Sequence, residues 1–302
     1  MSTRLNRSQT VSSTLVEQHI RSFEDDGYVI LNGILAGQQK TLKEASVRSG
    51  ELLEECFDLL ERNGHISRSS SLSGKTGMGK GILNGFCEIV MRNNGRYEMT
   101  YGCDDVLNTI RGSTGKFEAD SDDDTENECI FDQLEALIGK ICFPDNGEES
   151  DQNRGFYLMR TSLVIAEPGA GEQAWHVDGG HVDLEKHLPC HCVNVFIPLV
   201  NYNSELNGPT EIRPGSQKLT RNLAKQILAA KAKKTLRPPT SPLLTMGDVL
   251  IFDYRVLHRG KANNSMNSRP VLVLTYAREW FKDKLNFPKR SIYSKALPDG
   301  NR

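Results

Sequence analysis

The sequence lacks most of the features that place a protein quickly. Its seven cysteines include no Cys-x-x-Cys pair. In a chain of 302 residues an odd, scattered set argues against a disulfide framework and for a reducing compartment. No run approaches the ~18 consecutive apolar residues of a membrane span. Net charge is nearly absent: 37 Lys and Arg stand against 39 Asp and Glu, leaving -2. That excludes a nucleic-acid binder built on a dominant basic face. Apolar residues make up only 37%, enough for a globular fold with a slightly lean core. The length allows one large domain or two small ones.

What is present divides the chain in two. Residues 1–13 read as a disordered tail. Arg4, Arg7 and several Ser and Thr give the start a faint transit-peptide texture, so a cytoplasmic location is expected, with an organelle as the alternative. Gly300-Asn301-Arg302 matches no peroxisomal or retention signal. Thr14–Phe23 reads as a helix, Gly27–Leu31 as a short strand, and Gln38–Leu60 as a longer helix, with Leu42, Ala45, Leu52, Leu53, Cys56 and Leu59 near helical spacing. Gly64–Gly81 is a Ser/Gly-rich loop. Its Gly77-Met78-Gly79-Lys80-Gly81 lacks the order of a phosphate loop. Glu118–Glu128 alternates Asp120, Asp122 and Asp124 but has Thr125 and Phe131 where a calcium loop needs Gly and Glu. It reads as a solvated acidic loop.

From Gly155 the texture changes to short Val/Ile/Leu/Phe/Tyr-rich segments: 156–167, 193–200, 249–253 and 271–276. Turn signals such as Pro168-Gly169 and Asn207-Gly208-Pro209 separate them, the pattern of a sandwich or barrel. A basic helical insert at about 219–234, with Lys225, Lys231, Lys233 and Lys234, reads as a solvated face; service to an anionic ligand is the alternative.

Trp175-His176-Val177-Asp178-Gly179-Gly180-His181 is the densest cluster of metal-ligating side chains. In extended backbone, positions i and i+2 share a face, so His176 and Asp178 can converge on one ion. His258, at the end of a later strand-like run, supplies a third donor. Two imidazoles and one carboxylate form the ligand set of non-haem iron(II) oxygenases, which leaves coordination positions open. Arg269 follows at the start of the next apolar run. A turn through Asn263-Asn264-Ser265 would return the chain as a neighbouring antiparallel strand and bring Arg269 into the same cavity. There its guanidinium fork would suit a carboxylate. His181, His187 and His191 with Cys190 and Cys192 crowd the same region without the spacing of a structural zinc site, and His181 reads as a lining of the site mouth. Trp175 and Trp280 are core residues first and candidate substrate flanks second.

The order His176-x-Asp178, His258, Arg269 resembles the iron(II)/2-oxoglutarate dioxygenases. The words Gln173-Ala174-Trp175-His176-Val177-Asp178-Gly179, Asn207-Gly208-Pro209-Thr210, Arg213-Pro214-Gly215-Ser216, Tyr254–Gly260 and Arg269-Pro270-Val271-Leu272 resemble the phytanoyl-CoA dioxygenase branch. The resemblance covers about 155–280, with a weaker stretch at 23–35. It implies a mainly β fold with α elaboration: a double-stranded β-helix, or cupin-like jelly roll, with N-terminal helices packed on it. Residues 14–302 would then form one dioxygenase domain, with the jelly-roll core at about 155–280 and helical and loop elaboration at 36–154. His176, Asp178 and His258 would be the iron ligands and catalytic centre, Arg269 would hold the distal carboxylate of 2-oxoglutarate, and Gln173 and Thr210 would touch that cosubstrate.

The implied cofactors are Fe(II), 2-oxoglutarate and O2, with succinate and CO2 as coproducts. Related halogenases lack the carboxylate that Asp178 supplies, so hydroxylation of a lipid-like or specialised small molecule is the expected outcome. An acyl-CoA substrate, with the basic insert meeting its phosphates, a protein or peptide hydroxylase, and a non-catalytic jelly-roll binding module are the competing readings.

Overall fold

The computed structural model describes residues 13–67, 78–112, 130–144, 155–219 and 223–294. The tail before residue 13, residues 68–77 of the Ser/Gly-rich loop and the acidic segment Glu118–Glu128 lie outside them. The N-terminal third supplies helices α1 (Ser13–Asp26) and α2 (Gln39–Arg62), with strand β1 (Tyr28–Leu31) between them. Burial on α2 falls on Leu42, Ala45, Ser49, Leu52, Leu53, Cys56 and Leu60, the stripe an amphipathic helix lays on a core. Gly27 ends α1 with φ +77, and a Cβ there would lie 2.3 Å from Val256. Only glycine fits both the left-handed turn and that close approach.

The region 36–154 holds more order than a helical elaboration. Strands β2 (Ile89–Asn93) and β3 (Arg96–Met99) form a hairpin, followed by α3 (Cys103–Gly112) and α4 (Ile130–Cys142). Beyond them come β4 (Phe156–Ala166), β5 (Cys192–Pro198), β6 (Thr210–Ile212), α5 (Leu223–Ala232), β7 (Val249–Asp253), β8 (His258–Gly260) and β9 (Arg269–Arg278). Seven strands pair antiparallel in the order β1-β7-β5-β9-β4-β3-β2, and β6 pairs with β8 in a second, small sheet. The large sheet therefore draws β1, β2 and β3 from outside residues 155–280.

Each face of the large sheet has its own job. Tyr97, Leu163, Ile165, Val193, Val195, Ile251, Leu272 and Leu274 lie in one apolar core with the buried side chains of α2, α3 and α4. Burying each large apolar side chain contributes roughly 1.5–3 kcal/mol, so this layer anchors the sheet. The alternate residues look the other way, toward the small sheet, as the period-2 pleat requires. The result is a mainly antiparallel β fold of the double-stranded β-helix kind, with helices packed on its outer face. No described helix is long and apolar enough to cross a membrane. Helix α5 carries exposed Lys225 and Lys231, in keeping with a solvated face.

The expected route to Arg269 needs one correction. β9 does not return beside β8: β8 pairs with β6, whereas β9 runs between β5 and β4 in the large sheet. The connection crosses from one sheet to the other. Its pivot is Asn263, fully buried, whose amide donates to the Ala166 carbonyl at 2.8 Å and the Asn267 carbonyl at 2.9 Å. Arg269 still reaches the cavity, from the opposite wall.

Candidate metal centre and active-site cavity

A cavity of about 320 Å³ opens between the two sheets. His176 enters it from an extended segment alongside β8, and the pairing is reciprocal. The His176 N–H donates to the His258 carbonyl at 3.0 Å, and the His258 N–H donates back at 2.9 Å. The two imidazoles thus face each other with ring centroids 4.4 Å apart. Asp178 follows two residues later, its N–H bonded to the Tyr254 carbonyl at 3.0 Å. Its Oδ1 lies 3.7 Å from His176 Nε2, and its Oδ2 lies 3.5 Å from His258 Nε2. One donor atom from each of the three lies within 4.8 Å of the others, the only such group with metal-ligating chemistry among the described residues.

Local bonds fix which nitrogens face inward. His176 Nδ1 sits 2.9 Å from the Ala174 carbonyl, and His258 Nδ1 sits 3.0 Å from the Val256 carbonyl. A carbonyl only accepts, so each Nδ1 carries a proton and each Nε2 is the nitrogen turned into the cavity. Burial holds His258 below its ordinary pKa, against the opposing pull of Asp178. The Asp178 carboxylate is steered in turn: Asn194 Nδ2 donates to Oδ2 at 2.7 Å, and Thr275 Oγ1 donates to Asn194 Oδ1 at 2.7 Å. Replacing Asn194 with Ala frees that carboxylate to rotate. The expected result is a ~10- to 100-fold loss of divalent-metal affinity, the cost typical of losing a partner one bond removed from a ligand. Titration against a competing chelator measures it, and unchanged affinity would refute the role of Asn194.

Further in, Arg269 is 3% exposed, with its guanidinium 5.3 Å from the Tyr202 ring centre. Its Nε and Nη1 have no hydrogen-bond partner among the described residues. Gln173 and Thr210 line the same cavity, and Gln173 Oε1 accepts the Gly260 N–H at 3.0 Å. All six residues singled out from the sequence therefore meet in one space. Toward the mouth the wall is charged. Arg92 donates to Glu98 at 2.7 Å and Arg160 to Asp283 at 2.8 Å, with Phe287 between the two guanidiniums at 5.1 and 4.6 Å. Asn286 donates to the Asp178 carbonyl at 2.9 Å and Tyr254 Oη to Asp283 at 2.9 Å, linking this wall to the ligand segment.

Other expected neighbours lie elsewhere. Trp175 is held between Arg213 and Arg259, 4.9 and 4.8 Å from its ring, and does not line the cavity. Trp280 stacks near His191 and Phe281 on the surface. His181 packs on His187, ring centres 5.8 Å apart, rather than at the site mouth. With His191 these form a group held neutral by burial and by Arg255, most strongly at His191, which is pulled down to about 4.

The sign of that shift sets an acid response. Between pH 6.5 and about 4 the unfolded chain takes up a proton that folded His191 refuses, so stability falls as pH falls through that window. His191 Nε2 has no partner among the described residues, so a His191→Phe variant sacrifices no bond there. It is expected to recover roughly 2 kcal/mol at pH 5 and little at pH 7.5. Urea denaturation at both values measures this, and an equal gain at both would refute it.

An antiparallel sandwich with two imidazoles and a carboxylate converging between its sheets defines the class: 2-oxoglutarate-dependent non-haem iron enzymes. Residues 108–271 match the phytanoyl-CoA dioxygenase (PhyH) family. The match spans more than half the chain, and the protein belongs to that family. Solved structures agree on the fold. The non-haem α-ketoglutarate-dependent epimerase SnoN from nogalamycin biosynthesis matches with a TM-score of 0.52 and 16% identity over 88% of this chain and 82% of that one. The carbocyclase SnoK from the same biosynthesis gives 0.53 and 14% over 93% and 88%. HygX from Streptomyces hygroscopicus, solved with nickel and 2-oxoglutarate bound, gives 0.50 and 12% over 88% of each chain.

Proposed function

We propose that the protein is an iron(II)- and 2-oxoglutarate-dependent dioxygenase that hydroxylates a compact, polar small molecule. The observation that carries this reading is the pairing, in one cavity, of three converging ligand atoms with a buried arginine whose Nε and Nη1 lack acceptors among the described residues. The residues fit the implied groups. Two imidazoles and one carboxylate are a ligand set for ferrous iron. A buried cation without a counter-charge is costly unless an anion pairs with it, and the distal carboxylate of 2-oxoglutarate supplies one.

His176, Asp178 and His258 would hold the metal, and Arg269 would hold the cosubstrate beside Gln173 and Thr210. When bound, iron, 2-oxoglutarate and dioxygen supply the oxidising power to break an unactivated C–H bond, with succinate and CO2 released. The chain's own part is positional. Asn194 and Thr275 keep Asp178 in one rotamer, and the carbonyls of residues 174 and 256 hold each Nδ1–H so that both Nε2 atoms turn toward the metal position. Tyr254, raised in pKa first by burial and then by Asp178 and Asp283, stays a proton-bearing donor to Asp283.

The substrate class follows from the mouth. Lys80, Arg92, Glu98, Arg160, Asn194 and Asn286 line the cavity that a substrate would enter. A fatty-acyl chain there would strip water from these charged and amide groups at a cost, whereas a molecule bearing hydroxyl, amino or acidic groups would offer hydrogen bonds in its place. The basic helix α5 does not line this cavity, which removes the support for an acyl-CoA. Neighbours named for nogalamycin biosynthesis lend the same weight to a functionalised small molecule.

The test is succinate formation with ferrous iron and 2-oxoglutarate across a panel of polyhydroxylated and amino-bearing molecules and acyl-CoAs. Turnover stimulated by the polar set supports the proposal. Stimulation by acyl-CoA alone would overturn the substrate class, and no binding of iron or 2-oxoglutarate by calorimetry would favour a non-catalytic module.

A further inference from the structure

The deep end of the cavity contains a second guanidinium that no sequence motif marks. Arg96 on β3 is 1% exposed, the largest fully buried side chain among the described residues. Sheet register places it in line with Arg269, because Arg96 pairs with Ala166 on β4 and Ala166 pairs with Arg269 on β9. Across the cavity the small sheet presents a matching row, with Gln173 bonded to Gly260 and Gly260 paired with Thr210. The central residue of each row is tiny. A Cβ on Gly260 would lie 2.6 Å from Arg96 Nη1 and 2.7 Å from Gln173 Oε1. Glycine at 260 is thus what lets Arg96 lie against the floor of the cavity.

The surroundings of Arg96 leave it charged without a counter-charge. Nη2 donates to the Lys261 carbonyl at 2.6 Å, and Nε has no partner among the described residues. No salt bridge reaches either Arg96 or Arg269 among those residues. Burial, and then the neighbouring Arg269, pull the Arg96 pKa down to about 9, which still leaves it protonated at neutral pH. Two buried cations, both lining one polar pocket and both lacking an anion, are a standing cost to the fold. Arg255, by contrast, is met by a carboxylate, Asp253, at 2.6 Å.

We propose that Arg96 is a second anchor for the distal carboxylate of 2-oxoglutarate, so that this end of the cosubstrate is read by two guanidiniums. The inference rests on the function proposed above. It makes Arg96 a specificity residue that selects a dicarboxylate over a 2-oxo monocarboxylate of similar size.

Calorimetric titration of the Ni(II)-loaded protein tests it with two probes, 2-oxoglutarate and 2-oxobutanoate, the second lacking the distal carboxylate. For Arg96→Met, Kd for 2-oxoglutarate is expected to rise at least about tenfold, the scale of a lost charge-assisted hydrogen bond. Kd for 2-oxobutanoate is expected to change less than about twofold, as that ligand makes no such bond. Arg96→Lys, which keeps the cation and disturbs packing least, should recover part of the 2-oxoglutarate affinity and covers the case in which the Met variant fails to fold. Equal losses on both ligands would mean that Arg96 only supports the wall, and unchanged binding would mean that it does not touch the cosubstrate. Either result overturns this inference while leaving the proposed function standing. Failure of the wild-type protein to bind 2-oxoglutarate at all would take both down.

Discussion

A His176→Ala protein is expected to be folded, to bind no stoichiometric iron after dialysis, and to form succinate at a negligible rate. The loss should exceed the ~100-fold that removing a partner one bond away from a metal ligand costs, because here the donor itself is gone. Folding should survive for a specific reason. The segment is tied to β8 through the backbone of residues 176 and 258, and an alanine keeps both of those bonds. The imidazole is also about a third exposed, at 35%, so its removal opens no large buried void. Elemental analysis of metal content, set beside a thermal melt, separates the two effects. Full metal content in the variant, or turnover equal to wild type, would sink the assignment of His176.

An Arg269→Met substitution is expected to act in opposite directions on binding and on stability. Truncating one partner of a buried charge pair costs about 2–5 kcal/mol, so 2-oxoglutarate affinity should fall by at least ~30-fold. The ligand-free protein has nothing to lose of that kind. Arg269 is 3% exposed and is met by the face of Tyr202 rather than by a carboxylate. Methionine fills similar space with an adaptable apolar chain. The ligand-free melting temperature should therefore hold or rise. In the wild type, 2-oxoglutarate at 100 times its Kd should add about 2.7 kcal/mol, and in the variant at the same concentration that gain should nearly vanish. A variant that is still stabilised to the same degree would show that Arg269 does not hold the cosubstrate.

The parts of the site that the sequence disclosed are those carried by short, contiguous words. His176 and Asp178 share one extended segment, and His258 and Arg269 both reach the cavity although their strands lie in different sheets rather than side by side. The parts that stayed hidden come from strands whose pattern points the wrong way. Arg96-Tyr97-Glu98-Met99 falls in the stretch read only as helical and loop elaboration, and its alternation of charged and apolar residues gives no hint of a buried charged face. In the fold Tyr97 and Met99 do meet the core, yet Arg96 and Glu98 line the cavity. β4 carries the same disguise, with Arg160 facing the site and Leu163 and Ile165 packed on the helices. Alternation reports that a strand has two faces; it does not report whether the polar face meets solvent or a substrate. Asn194 lies within an otherwise apolar strand, and a lone amide in such a run was the one available signal that something buried needed a hydrogen bond.

The reciprocal backbone pair between residues 176 and 258 has a kinetic consequence. It joins segments from distant parts of the chain, so its closure carries a loop-entropy cost that local contacts do not. No partial structure lacking that closure holds all three donors together. Loading with metal therefore reports the completed fold, and a chelator added during refolding should leave the rate of strand assembly unchanged while removing only the final gain in stability.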